Sequence, residues 1–225
     1  MPLAGKGMLL TSMDIDPSHE ADFNRWYDRE HLVERVAIDG FLEARRYVAY
    51  QGSPKYLCLY STGTFEVLDS PAYRAALMNP TDWSRANLAR FNNMIRTIAR
   101  ITISRGEGRG AALGVIRLRP ATGNEEKLRT MLHEKLDPEK LDGIVSMHLI
   151  ESDPSLSKPL TEDPPISDPG AGDWFVLIDA TNMDVVSAAM AARFTGPAAF
   201  EQGILISAGS YHLMWDLARS EIVYP

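Results

Sequence analysis

Arg105-Gly106-Glu107-Gly108-Arg109-Gly110 divides the 225-residue chain near its middle, and the reading of this stretch decides the fold. Glycines alternating with charged residues make a flexible joint without a packing face. The stretch is not a dinucleotide-binding turn, because the full glycine spacing and the strand–turn–helix context of that motif are missing. On either side of it the same succession of elements can be read, so it joins two copies of one unit.

Upstream, Met8 to Ile15 reads as a strand. Asp16-Pro17 opens a helix, with Asp16 as N-cap and Pro17 in the first turn. Asp39-Gly40 closes that segment, and the aromatic-rich run from Phe41 to Tyr50 is a second strand. Gln51-Gly52-Ser53-Pro54 is a turn, followed by a strand from Tyr56 to Ser61. Ser70-Pro71 starts a helical region from Ala72 to Phe91, broken at Asn79-Pro80. Met94 to Ser104 is a fourth strand. Downstream the order recurs: strand Ala111 to Leu118, a helix from the capping-box pair Thr122 and Glu125 to Leu136, then Asp142-Gly143 in the role of Asp39-Gly40. Strands Ile144 to Glu151 and Trp174 to Thr181 follow. A helix from Asp184 to Phe194 is interrupted at Gly196-Pro197 and resumes over Ala198 to Gln202, and the last strand is Ser207 to Leu217.

The expected fold class is therefore α+β: two tandem ferredoxin-like βαββαβ repeats, residues 1–105 and 111–225, joined by the linker 106–110. One such sheet leaves a face that its own helices do not cover. Two sheets closing face to face bury both, which predicts an intrachain, pseudo-dimeric α+β barrel. A proline-rich insertion, 153–172, stands where the first repeat has its tight turn, and reads as an extended surface loop.

The net charge of −7, with no local Lys/Arg run, argues against a nucleic-acid partner or an anionic membrane surface. A single cysteine, Cys58, lies in a strand-like run, which excludes an internal disulfide or a cysteine-based zinc site. No span approaches a membrane helix and the N-terminal apolar run is too short for a signal peptide, so a cytoplasmic protein is expected.

The chemistry points to the first helix. Phe23, Trp26 and Tyr27 have the spacing of a core-facing stripe, which then continues into Glu30, His31 and Glu34. The second repeat keeps the stripe as Leu128, Met131 and Leu132, and carries Lys135 and Leu136 where the first has Glu30 and His31. The polar pair is thus an addition specific to the first repeat. An ordinary imidazole titrates near neutrality, so His31 suits a general base or acid. Arg46 is the one charge on a strand face otherwise formed by Leu42, Ala44, Val48 and Tyr50, and demands a carboxylate, for which Glu30 is a candidate, or a ligand oxygen. Arg45 falls on the opposite face, with Phe41, Glu43 and Tyr47, and reads as a surface residue. Trp26 and Tyr27 would form the wall of a substrate site, with Asp14 at a strand end and His212 on the last strand as further lining residues. No metal-binding spacing and no nucleophile elbow appears.

The pattern Trp26-Tyr27-x-x-Glu30-His31-Leu32-x-Glu34-Arg35, followed by Gly40-Phe41-x-x-Ala44-Arg45-Arg46-Tyr47, resembles the dimeric α+β barrel superfamily, and within it the EthD-like and related uncharacterised bacterial proteins. The resemblance covers the first repeat through its motif and the second only through its repeat pattern. It implies the barrel fold. For function it implies a range, from cofactor-free monooxygenases to isomerases, cyclases, dehydratases and haem enzymes. The expectation is a cofactor-independent enzyme, alone or as a homodimer, acting by proton transfer of the lyase, isomerase or dehydratase type on a small apolar or aromatic oxygenated metabolite. His31, Glu30 and Arg46 would be catalytic. The alternatives are a cofactor-free monooxygenase and a non-catalytic small-ligand-binding protein.

Overall fold

The computed structural model describes residues 3–157, 170–194 and 202–223. Its first half runs β1 (Gly7–Asp14), α1 (Glu20–Trp26), a π-helical turn (Tyr27–His31), α2 (Leu32–Val36), β2 (Phe41–Gln51), β3 (Tyr56–Thr62), α3 (Pro71–Met78), α4 (Asp82–Leu88) and β4 (Asn92–Gly106). The second half runs β5 (Ala112–Pro120), α5 (Glu125–Lys135), β6 (Ile144–Ser152), β7 (Trp174–Ala180), α6 (Met183–Phe194) and β8 (Gly203–Ala218). The eight strands close into one antiparallel barrel in the order β1-β3-β2-β8-β5-β7-β6-β4. Each half contributes four consecutive staves. They meet where β2 pairs with β8 and where β4 pairs with β6.

Closure turns one face of every strand to the barrel lumen, and the helices cover much of the other, although parts of β4 and β8 stay exposed outside. Met8, Leu10, Leu57, Leu59, Val115, Phe175, Leu177 and Tyr211 belong to the cluster that fills the lumen. Helices of the first half cover a cluster rich in aromatics, including Phe23, Trp26, Tyr27, Phe41, Tyr60 and Tyr73. Helices of the second half cover an aliphatic one with Leu128, Leu132, Leu136, Ile178 and Val186. Burying such a side chain contributes roughly 1.5–3 kcal/mol.

Gly40 and Gly143 are equivalent corners, each leading into the second strand of its half with positive φ (89° and 78°). A Cβ at Gly40 would lie 2.4 Å from Val67 Cγ2, and one at Gly143 would lie 3.0 Å from Val185 Cγ2. Only glycine meets both demands at Gly40 without strain.

Several local expectations differ from the structure. Asp16 does not cap α1. Its carboxylate accepts hydrogen bonds from the Ser18 amide (2.9 Å) and hydroxyl (2.5 Å), a local turn that delays the helix to Glu20. The Thr122–Glu125 capping box is not formed, because α5 starts at Glu125 itself behind Asn124. Gly106 belongs to β4 rather than to the linker. Arg45 is not at the surface: it is 1% exposed and points into the lumen, since the face away from the helices is also interior once the barrel closes. A register shift between Phe41 and Glu43 moves Phe41 to the helix side, away from Arg45. The helix expected to resume over Ala198 to Gln202 and most of the proline-rich insertion lie outside the described residues. At the start of that insertion, Ser157 is fastened to β4, its Oγ donating to the Ile98 carbonyl (3.1 Å) and accepting from the Ile98 amide (2.9 Å).

Candidate active site

The helix bearing the polar pair is not a regular α-helix. Between Tyr27 and His31 it widens into a π turn, in which the Leu32 amide reaches the Tyr27 carbonyl. Such insertions are frequent at functional sites. The extra residue re-phases the helix face. The inward stripe runs Phe23, Tyr27, Leu32, Val36 and, beside it, Trp26, His31, Arg35, all buried. Glu30 and Glu34, which a continuous α-helical stripe would turn inward, are rotated away. The helix α5 has no such turn over Glu125–Lys135, so the match of Glu30 with Lys135 and of His31 with Leu136 loses its register.

His31 is 7% exposed and lies against the Trp26 ring (centroids 4.2 Å apart, tilted by 30°) with its edge toward Tyr27 (5.0 Å). Its Nδ1 is buried and has no hydrogen-bond partner among the described residues. Burial holds its pKa well below the usual imidazole value, and the positive charges of Arg35 and Arg46 push in the same direction. His31 is therefore neutral at neutral pH, with a ring nitrogen that none of the described residues engages.

Arg46 does point at the helix, as the strand alternation predicts, and it is 1% exposed. Its carboxylate partner is Asp28 rather than Glu30: Nη1 donates to Asp28 Oδ1 at 2.6 Å, and Nη2 donates to Asn24 Oδ1 at 2.5 Å. The guanidinium also lies over the rings of Tyr27, Phe23 and Tyr56, at 4.5, 5.3 and 5.5 Å. Trp215 of β8 donates to the same Asp28 oxygen (2.9 Å), so the second half completes this cluster. Arg46 is thus compensated within the protein.

Glu30 faces α4, accepting hydrogen bonds from Thr81 Oγ1 (2.6 Å) and Ser84 Oγ (3.2 Å). Ser84 Oγ in turn accepts from Trp26 Nε1 (3.1 Å). Glu30 therefore reaches the site through Ser84 and Trp26. Asp14 takes no part in this cluster. It accepts from the Lys55 amide (2.7 Å) and from Asn93 Nδ2 (2.9 Å), tying the β2–β3 turn to β4. His212 is exposed and packs on Tyr50 (5.3 Å) on the outer surface of the barrel. The structure thus brings His31, Trp26, Tyr27 and Arg46 together, attaches Glu30 at one remove, and leaves Asp14 and His212 outside.

Beneath the π turn, Thr11 Oγ1 and Tyr60 Oη are also buried without hydrogen-bond partners among the described residues. Burial drives the Tyr60 and Tyr27 hydroxyls well above the usual phenol range and the Cys58 thiol up to about 12. All three stay protonated. Sequence reasoning also missed a polar network at one end of the lumen. There Arg45 donates to Glu43 (2.8 Å) and lies 3.7 Å from Asp179. His148 sits between Ser104 (3.0 Å) and Ser146 (3.0 Å), 3.7 Å from Asp179. Strand alternation alone assigns these groups to one face, but which carboxylate meets which arginine across the two halves depends on barrel register.

No protein-family model and no curated protein matches the sequence. Solved structures do match it closely in shape. An anthrone oxidase-like protein superposes with a TM-score of 0.68 at 9% identity, covering 96% of this chain and 94% of the other. A protein provisionally assigned as a monooxygenase, from Fusobacterium nucleatum, gives 0.61 at 8% identity, over 96% and 95%. The chlorite dismutase of Candidatus Nitrospira defluvii gives 0.55 at 10% identity, over 93% and 91%. The chain has the dimeric α+β barrel fold.

Within this barrel, one cavity of about 310 Å³ lies between α6 and the outer face of β5 and β8, lined mainly by Ile116, Met190, Phe194 and Leu205. No imidazole, thiolate or phenolate lines it among the described residues, so it offers no such ligand to a haem iron. A cavity of about 20 Å³ opens at the Pro54 end of the lumen. Neither is lined by His31 or Arg46. Among the described residues no group of three or more His, Cys, Asp or Glu could hold a metal ion, and no helix is long and apolar enough to cross a membrane.

Proposed function

We propose that this barrel is an enzyme acting on a small, largely apolar or aromatic oxygenated molecule held between the helices and sheet of its first half. The reaction is proton transfer, with His31 as general base. The observation that carries this reading is the buried nitrogen Nδ1 of a neutral His31, without a hydrogen-bond partner among the described residues.

A neutral imidazole can take a proton from an activated C–H or O–H beside an oxygenated group. The imidazolium that results sits in the positive field of Arg35 and Arg46, which disfavours it. The same field favours negative charge developing on the substrate oxygen. A proton held unfavourably on His31 is returned to the substrate, at another carbon or at a leaving oxygen, which suits isomerase, lyase or dehydratase chemistry. Trp26 and Tyr27 provide the aromatic wall, Glu30 fixes Trp26 through Ser84, and Arg46 contributes charge from its fixed place beside Asp28.

The second reading is a cofactor-free monooxygenase, in which the carbanion formed at the same base is captured by O2. Its names for comparison are the monooxygenase and the anthrone oxidase-like protein above, whose likeness extends to the fold. A third is a ligand-binding protein without turnover.

The test uses His31→Gln, with folding checked by circular dichroism. Solvent deuterium exchange into a panel of cyclic and aromatic ketones, and oxygen uptake with anthrone, are measured for both proteins. The base role requires exchange or uptake in the native protein and a fall of at least about 100-fold in the variant. Oxygen uptake selects the monooxygenase reading. Equal rates in a folded His31→Gln protein would refute the base assignment.

A further inference from the structure

The two halves of the barrel differ at one place, which the first half fills with its own chain and the second does not. Strands β1 and β4 correspond to β5 and β8. Leu9, the third residue of β1, pairs with Ile98, and Gly114, the third residue of β5, pairs with Ser210. In the first half the chain leaving β6 runs on over Ile98. The Asp153 amide donates to the Ile98 carbonyl (2.8 Å), and Ser157 bonds to both backbone groups of the same residue. Between them, the Leu156 carbonyl accepts from Arg96 Nη1 (2.9 Å), and the Leu156 side chain packs against the aromatic cluster under the first-half helices.

In the second half the corresponding chain turns away. Gln51 pairs with Ser210 at the end of β2, and Gly52 follows with φ 131°. Gly52 lies directly against Gly209, so that a Cβ on it would come 3.0 Å from the Gly209 Cα. Tyr211 Oη then holds the turn down by donating to the Pro54 carbonyl (3.3 Å). Strand β8 also presents Ala208, Gly209 and Ser210 where β4 presents Arg96, Thr97 and Ile98. The space left is the cavity of about 310 Å³ between α6 and the sheet. Leu205 at its edge is 41% exposed.

The walls select the ligand. Ile116, Met190, Ala191, Phe194, Leu205 and Ala208 are apolar, and among the described residues the polar side chains of the lining are the uncharged Gln51, Ser187 and Ser210. A charged group entering here would lose water without gaining a counter-ion. The volume lies at the lower end of the range for small-molecule sites, about 300–1,000 Å³. We propose that this cavity binds a small neutral molecule with an apolar, aliphatic or aromatic body, which takes in the second half the place that Leu156 takes in the first. The site is separate from His31 and does not rest on the reading of His31 as a base.

Naphthalene and its charged derivative 2-naphthoate are the probes, with isothermal titration and thermal unfolding as readouts. Naphthalene is expected to bind the native protein and raise its melting temperature with concentration, and 2-naphthoate to bind about tenfold more weakly or less. Ala208→Leu puts a leucine into the cavity from β8, and Ala191→Leu does so from α6. Each should weaken naphthalene binding about tenfold or more while melting at the native temperature or above it. His31→Gln should bind naphthalene as the native protein does. The proposal is overturned if native protein does not bind naphthalene, or binds 2-naphthoate equally well. It is also overturned if both leucine variants bind naphthalene undiminished, or if His31→Gln loses binding that Ala208→Leu keeps, which would move the site to the first half. If both leucine variants melt well below the native protein or fail to fold, the space is already occupied by the chain and the proposal is equally wrong.

Discussion

Replacing Asp28 by alanine separates a scaffolding role for Arg46 from a catalytic one. Arg46 is 1% exposed and, among the described residues, Asp28 is its only carboxylate partner, at 2.6 Å. Breaking a fully buried pair by removing one partner costs about 3–5 kcal/mol, whereas a surface pair contributes about 0–1 kcal/mol. The Asp28 side chain is 44% exposed, which places the pair between these limits. Arg46 also keeps Asn24 and the three aromatic rings when Asp28 is lost. Trp215 Nε1 loses an acceptor at the same time. A loss of about 2 kcal/mol follows, equivalent to a fall of roughly 4–8 °C in melting temperature for a chain of this size. Arg46→Met, which removes the charge but fills much of the volume, should cost less than Asp28→Ala. In the double variant, the damage from Asp28→Ala should largely disappear, giving a coupling of about 1–2 kcal/mol. Urea unfolding of the four proteins, followed by circular dichroism, measures each term. If Asp28→Ala costs under about 0.5 kcal/mol, or the two substitutions simply add, the pair does not compensate Arg46 and the assignment of this arginine to the scaffold is wrong.

Acid should weaken the fold from near neutrality downward. His31 and His148 both have folded pKa values below the free imidazole value, chiefly because they are buried. Above about pH 6.5 both states carry neutral imidazole and nothing is lost; below it the unfolded chain takes protons that the folded one refuses, so stability falls by up to about 1.4 kcal/mol per pH unit for each histidine until the folded value is reached. Unfolding free energies measured from pH 7.5 to 5 should show this slope, reduced in His31→Phe; an unchanged slope in that variant would contradict the neutral burial of His31. Leu132→Ala, at a position fully buried under α5, should cost about 2–5 kcal/mol by creating a cavity, and a loss under about 1 kcal/mol in urea unfolding would show that the α5 seam is loosely packed.

The amino-acid sequence by itself determined the order of elements and the repeat. Alternation in the strands, glycines at the Gly40 and Gly143 corners, and the break at Asn79-Pro80 are local signals, and local signals survive in one dimension. They suffice to infer two half-barrels, because a ferredoxin-like sheet with an uncovered apolar face has few ways to bury it. The sequence also picked out His31 and the inward face of Arg46. What it could not decide was phase and pairing. A π turn costs one residue of register and carries no signature in the spacing, so Glu30 and Glu34 appeared to face the core in place of Arg35. Closure of the barrel turned the outer face of β2 into a lumen, which is why Arg45 is buried. Glu43 meets Arg45 along its own strand, but Asp28 reaches Arg46 from across the helix–sheet interface and Asp179 reaches Arg45 from the other half. Such choices depend on distances of a few ångströms between segments far apart in the chain, and only the tertiary structure sets those.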